Sequence, residues 1–218
     1  MSADGPSWTG LFRIARSLIR QVNSEQGIID SWSFGGGTAM MLQMDHRESR
    51  DVKIFVSDAQ LLPFLDPKLH DFDFEIRPSD YGGDGSSFLR LSFEDIGEID
   101  FIVGHAVTTA PTTRRTTQGE DVDLETVAEV IGKKICYRGT LMKPRDIFDI
   151  AAAASYDRNS IVSALKEHKD DIVRAVSTIE RLKPDFVNAT IAELTIKDPF
   201  KAIADTALED AKAVLKTI

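Results

Sequence analysis

The run Trp32-Ser33-Phe34-Gly35-Gly36-Gly37-Thr38 restricts the possible folds more than any other stretch of this chain. An apolar and aromatic segment, 28–34, stops on three glycines, and 38–44, rich in Met, Leu and Ala, reads as a helix. Glycines at such a junction let the chain turn sharply. They also let backbone N–H groups approach an anion at the helix N-terminus. Taken alone, such a turn is more often simple geometry than a phosphate site. What it requires is a strand that runs directly into a helix.

The surrounding pattern agrees with a mixed architecture. Leu11, Ile14, Leu18 and Val22 recur at helical spacing and predict a helix over 11–24. Asp51 to Val56 begins with alternating polar and apolar residues, as in a half-buried strand. Ser57 or Asp58 is placed to cap a helix through Leu65. Segments 72–76, 88–93 and 99–103 predict strands. The Gly/Asp/Ser-rich 79–87 predicts a loop, and the Thr-rich 108–117 an irregular connection. Beyond that point the chain reads as helices over 124–137, 144–156, 159–181, 184–194 and 199–216, three of which open on proline. The expected fold is α+β: a mixed β-sheet half with flanking helices over 1–115, then an all-helical half over 116–218.

Composition excludes several classes. With 218 residues, 42% of them hydrophobic, a core can form without disulfides or a structural metal. The single cysteine, Cys136, points to a reducing compartment. No run approaches the ~20 apolar residues of a membrane span, and residues 1–10 are too polar for a secretory signal. A cytoplasmic chain with no membrane partner is expected. The net charge of −9 argues against an extended nucleic-acid groove but leaves a local basic site open.

Three further features carry chemistry. Asp51 and Lys53 lie at i and i+2, one face of a strand, where two carboxylates would hold divalent cations together. Here the second position is lysine, and the plain reading is a surface ion pair. Asp100 interrupts the apolar strand Ile99-Asp100-Phe101-Ile102-Val103; an acid there must be paired, solvated or on a metal. Lys134 and Arg138 share one helix face at i and i+4, and Asp146 and Asp149 share the next at i and i+3. These four groups read either as an internal ion-pair network or as a triphosphate site with Asp146 as base or orienter.

In this order the features resemble the AbiEii/AbiGii-type nucleotidyltransferase toxins of bacterial type IV toxin–antitoxin and abortive-infection systems. The resemblance runs from Trp32 to Ala154. It comprises Gly36-Gly37-Thr38-Ala39, then His46-Arg47-Glu48-Ser49-Arg50-Asp51-Val52-Lys53, then Asp100, then Lys134 with Arg138, and Arg145-Asp146-Ile147-Phe148-Asp149. It implies a nucleotidyltransferase-like sheet half, with the helical half completing the active-site cleft. It also implies transfer of a nucleotide from an NTP, with Mg²⁺ (or Mn²⁺) held by Asp51 and Asp100. Gly36, Gly37, Thr38, Lys133, Lys134, Arg138 and Arg145 would bind nucleotide, and Asp51, Lys53, Asp100, Lys134 and Asp146 occupy the catalytic positions. The implied acceptor is an RNA such as a tRNA, or a protein, and the implied partner is a cognate antitoxin, in a phage-defence setting.

One position departs from the family pattern. Lys53 stands where the family carries the second aspartate of its pair, so the resemblance implies an inactivated member. Two other readings stay open: a non-catalytic nucleotide- or partner-binding module, and a small-molecule nucleotidyltransferase for a cationic antibiotic. The acids Asp71, Asp73, Asp80, Asp84 and Asp95 are compatible with the last.

Overall fold

The computed structural model describes residues 8–218, so most of the polar stretch 1–10, expected not to be a secretory signal, lies outside the described residues. The architecture is α+β, as expected. Among the described residues the seven strands are β1 Ser33–Gly35, β2 Val52–Val56, β3 Asp80–Gly83, β4 Phe88–Phe93, β5 Gly97–Val103, β6 Thr112–Thr117 and β7 Glu120–Glu125. Its helices are α1 Trp8–Glu25, α2 Gly36–Met44, α3 Val127–Arg138, α4 Pro144–Leu165, α5 Lys169–Arg181, α6 Pro184–Ala192, α7 Lys201–Ala204 and α8 Ala207–Leu215. Two compact units can be distinguished. One comprises the described residues up to Thr38 with Ser49–His105 and Thr113–Leu124; the other comprises Ala39–Glu48, Ala106–Thr112 and Glu125–Ile218.

The first unit is organised by a single sheet in the order β3-β4-β5-β2-β1-β7-β6. The central pair β2 and β5 is parallel, whereas β1 is antiparallel to β2 and β4 to β5. Helix α1 buries the stripe Leu11, Ile14, Ala15, Leu18, Ile19 and Val22. Its Phe12 ring stacks on Phe34 of β1, with centroids 4.7 Å apart. Both rings are fully buried, and each contributes about 1.5–3 kcal/mol by leaving water.

Four local expectations are corrected in this unit. Segment 28–34 is a strand only over its last residues. The Asn23 side chain accepts from the Ile29 N–H at 2.9 Å and donates to the Ile29 carbonyl at 3.0 Å, satisfying groups that a strand would have paired. Segment 72–76 is likewise no strand, because Gln21 of α1 holds both backbone groups of Asp73. Within the expected loop 79–87 lies β3, paired antiparallel with β4. The turn joining them is closed by Asp84, whose carboxylate accepts from the N–H groups of Ser86, Ser87 and Phe88 and is held well below the usual range by those bonds. Finally, β6 and β7 replace the expected irregular connection and the start of the expected helix at 124. Gln118 and Gly119 both have positive φ, 51° and 79°, as a two-residue hairpin turn needs.

In the second unit α4 packs against α3 and α8. It buries Ile147, Phe148, Ile150 and the small residues Ala151, Ala152 and Ala153, which allow close approach of neighbouring helices. The break expected near 157 is a kink: Asp157 has φ −152° and ψ 82°, and its carboxylate caps the following turn at Ser160. The true interruption is at 166–168, and α7 and α8 replace the expected continuous helix 199–216. Among the described residues no helix is long and apolar enough to cross a membrane.

Phe12→Ala should lower stability by about 3–5 kcal/mol, read from urea unfolding. The same truncation at Leu69, which is 63% exposed, should stay within about 0.5 kcal/mol.

Candidate functional site

In the first unit, strand register brings a row of functional side chains together. Gly35 of β1 lies opposite Lys53 of β2, Lys53 opposite Asp100 of β5, and Asp100 opposite Arg90 of β4. Asp100 is buried, 2% exposed, and flanked by the core residues Ile99 and Phe101. Its Oδ2 accepts from the Lys53 ammonium. Its Oδ1 accepts from Arg90 Nε at 2.7 Å, and a second guanidinium nitrogen lies 3.3 Å from Oδ2. Burial pushes the Asp100 carboxyl up, but Lys53 and Arg90 outweigh it and hold the group below its ordinary value.

The glycine turn serves this row. Gly36 adopts φ +75°, and a Cβ there would meet Lys53 Cδ at 2.7 Å, so only glycine lets the lysine stem lie against the turn. Thr38 is buried; its hydroxyl donates to the Asp51 carbonyl at 2.5 Å and lies 2.9 Å from Ser49 Oγ. It ties the helix start to the strand start. Asp51 Oδ1 accepts from the Glu98 N–H at 3.2 Å.

These residues do not fit a pair of divalent cations. Such a site needs carboxylate oxygens free to coordinate. Both Asp100 oxygens face cationic side chains, one Asp51 oxygen is engaged by the backbone, and a tethered ammonium stands beside them.

The second unit holds a separate charged cluster. Asp149 is fully buried. Arg47 grips it with two parallel bonds of 2.7 and 2.9 Å, His46 Nε2 lies 3.0 Å from Oδ1, and Lys134 Nζ lies 2.9 Å from Oδ2. Lys134 also donates to Asp146 Oδ1 at 2.5 Å, with Arg138 3.6 Å from the same oxygen. Asp146 Oδ2 accepts from the Lys143 N–H at 3.2 Å and so caps α4. Burial pushes both acids up. Arg47 and Lys134 outweigh it at Asp149, as Lys134 does at Asp146, and both acids are lowered, Asp149 strongly.

Of the expected nucleotide-binding cations, Lys133 is a core residue, its ammonium 2.5 Å from Glu125 Oε1 and 3.5 Å from Glu129 Oε1. Lys134 is nearly buried between Asp146 and Asp149. Arg138 keeps a third of its side chain exposed and Arg145 is half-buried. The sequence reading passed over Arg90 and Glu129. Arg90 carries the same signal as Asp100, a charge inside an apolar strand, Phe88-Leu89-Arg90-Leu91. Glu129 gave no such sign; it accepts from the Val107 and Thr108 N–H groups and the Thr108 hydroxyl.

Asp149→Asn should destabilise the chain by about 3–5 kcal/mol, because Arg47 and Lys134 are left buried without full compensation. A lowered carboxylate stabilises the fold above its unfolded pKa of about 3.9 and loses that contribution as pH falls through its folded value. Acid unfolding below about pH 4, followed by circular dichroism, should therefore be blunted in Asp149→Asn relative to the parent chain.

Comparison with known proteins identifies the family of the chain. Two solved structures from Helicobacter pylori, one of them JHP933, are each 16% identical with TM-score 0.44; they cover 94% and 98% of this chain, and 94% and 93% of their own are covered. The Bradyrhizobium diazoefficiens CD-NTase CdnG, solved in complex with GTP, is 12% identical with TM-score 0.37, the match covering 95% of this chain and 84% of that one. No curated protein matches. The family model of the nucleotidyl transferase AbiEii toxin, type IV TA system, matches residues 17–216. With nearly its whole length matched, the chain belongs to the AbiEii nucleotidyl transferase toxin family.

Proposed function

We propose that this chain is a nucleotidyltransferase-type toxin silenced at Lys53, built to move a nucleotide from an NTP to an RNA (tRNA-like) or protein acceptor. The observation that carries the reading is the Lys53 ammonium on Asp100, at the position where the family pattern carries the second aspartate of the pair begun by Asp51. The lysine removes a ligand, neutralises Asp100 and repels a divalent cation. Loss of metal-assisted stabilisation of a transferring phosphoryl group amounts to several kcal/mol, a rate loss on the order of a thousandfold. The rest of the motif is present: His46, Arg47, Ser49, Asp51 and Asp100.

Within this reading, Asp51 and Asp100 are the Mg²⁺ (or Mn²⁺) ligands of the unsilenced site. Gly36 and Gly37 shape the turn toward the triphosphate. Of the cations expected to bind nucleotide, Arg138 and Arg145 retain solvent access, whereas Lys133 is buried. A cognate antitoxin follows from the family, and the setting is the cytoplasm. A second reading, a nucleotide-binding module with Lys53 in the place of a metal ion, rests on the same ammonium. It differs in expecting NTP binding that is independent of Mg²⁺. Of the acids behind the small-molecule reading, Asp84 is engaged in closing the β3–β4 turn.

The test is a paired transfer assay. The chain and its Lys53→Asp variant are incubated with Mg²⁺, labelled NTPs, total RNA and protein acceptors. The variant should label an acceptor at least about a thousandfold faster, and Asp100→Asn in the variant should abolish labelling. Equal labelling by both chains would overturn the silencing. Labelling by neither, with Mg²⁺-independent NTP binding by the parent, would favour the binding module.

A further inference from the structure

Three further side chains of the second unit converge. Cys136 lies near the end of α3, His168 immediately before α5, and Asp171 in its first turn. One ligand atom from each lies within 4.8 Å of the others. Cys136 Sγ is 3.4 Å from His168 Nδ1, which is 3.7 Å from Asp171 Oδ2. Tetrahedral zinc with sulfur, nitrogen and oxygen ligands at their usual bond lengths separates neighbouring ligand atoms by about 3.3–3.6 Å.

The remaining atoms of the imidazole and the carboxylate are already held. His168 Nε2 lies 2.9 Å from the Val107 carbonyl. A carbonyl only accepts, so Nε2 carries a proton, and Nδ1 is the ring nitrogen that faces Sγ and is placed to ligate. Arg174 donates to Asp171 Oδ1, leaving Oδ2 on the side of the imidazole. A backbone carbonyl behind the histidine and a donor behind the carboxylate are the outer contacts that orient metal ligands. The His168 and Asp171 side chains are 23% and 20% exposed. They line a solvent-facing groove of about 750 Å³ with Asp170 and Arg174, so an ion has a way in.

A catalytic thiol fits less well. Sulfur and carboxylate both face Nδ1, whereas a nucleophile–histidine–acid relay uses the two opposite ring nitrogens. Burial, with Asp171 beside it, also pushes the thiol up to about 12, so the free group is a poor nucleophile.

We propose that Cys136, His168 and Asp171 form a Zn²⁺-type site with three protein ligands and a fourth position open to water, bridging α3 and α5. Binding replaces the thiol proton, which leaves to solvent. The thiolate and carboxylate then balance the two charges of the ion.

The test uses Co²⁺ as a spectroscopic stand-in for Zn²⁺ on the full chain, with excess Mg²⁺ to occupy all-oxygen sites and no NTP. The thiolate should give a sulfur-to-cobalt charge-transfer band that saturates at one ion per chain and is bleached by Zn²⁺. Cys136→Ser, shown to be folded by circular dichroism, should lose the band. Asp171→Asn should keep it but weaken Co²⁺ binding about tenfold or more. Absence of the band in the folded parent chain, or undiminished Zn²⁺ affinity in Cys136→Ser, would overturn the site. Neither readout depends on nucleotidyl transfer.

Discussion

An ionised carboxylate in an apolar interior is stable only where cations and hydrogen-bond donors meet it, because the lost hydration amounts to several kcal/mol per ion. Asp100 and Asp149 both face this constraint, at 2% and 0% exposure. Each meets it with more than one cation: Lys53 and Arg90 in the first case, Arg47 and Lys134 in the second. Withdrawing either acid would leave its cations unpaired, and withdrawing one cation would leave a buried acid with a partner fewer.

In the sheet unit, the glycine turn and the lysine act as one device. The left-handed backbone of Gly36 leaves room for the Lys53 stem, and the parallel register of β2 and β5 delivers its ammonium to Asp100. Thr38 ties the start of α2 to Ser49 and Asp51, just before β2. The same geometry that would hold two carboxylates side by side therefore holds one carboxylate and its counter-ion. Positive charge for a phosphate and coordination of a metal are normally supplied together in a phosphoryl-transfer site; a lysine supplies only the first.

Much of the fold was legible because periodicity reports burial directly. Strand β4, the core of β5 and helix α1 follow from alternation or helical spacing. The misses have a common origin. Segments 28–32 and 72–76 look like strands, yet the Asn23 and Gln21 side chains hydrogen-bond their backbones first. The β6–β7 hairpin turns on Gln118-Gly119, a pair less telling than Asn-Gly, and its first strand is Thr- and Arg-rich with little apolar signal. At the site, Asp100 and Lys53 each stood out alone. Their pairing, and the part played by Arg90, did not.

By itself the sequence determined the α+β class, the order of the motifs, the family, and the presence of a lysine where the pattern has an acid. Those properties reside in composition, spacing and local propensity. Tertiary structure decided which charges meet. Ion pairing between Lys53 and Asp100, or among Arg47, Lys134 and Asp149, depends on strand register and helix packing between residues far apart in the chain. The convergence of Cys136, His168 and Asp171 is of the same kind. Coulombic and coordinate interactions act over a few ångströms of space, and no sequence interval sets that distance.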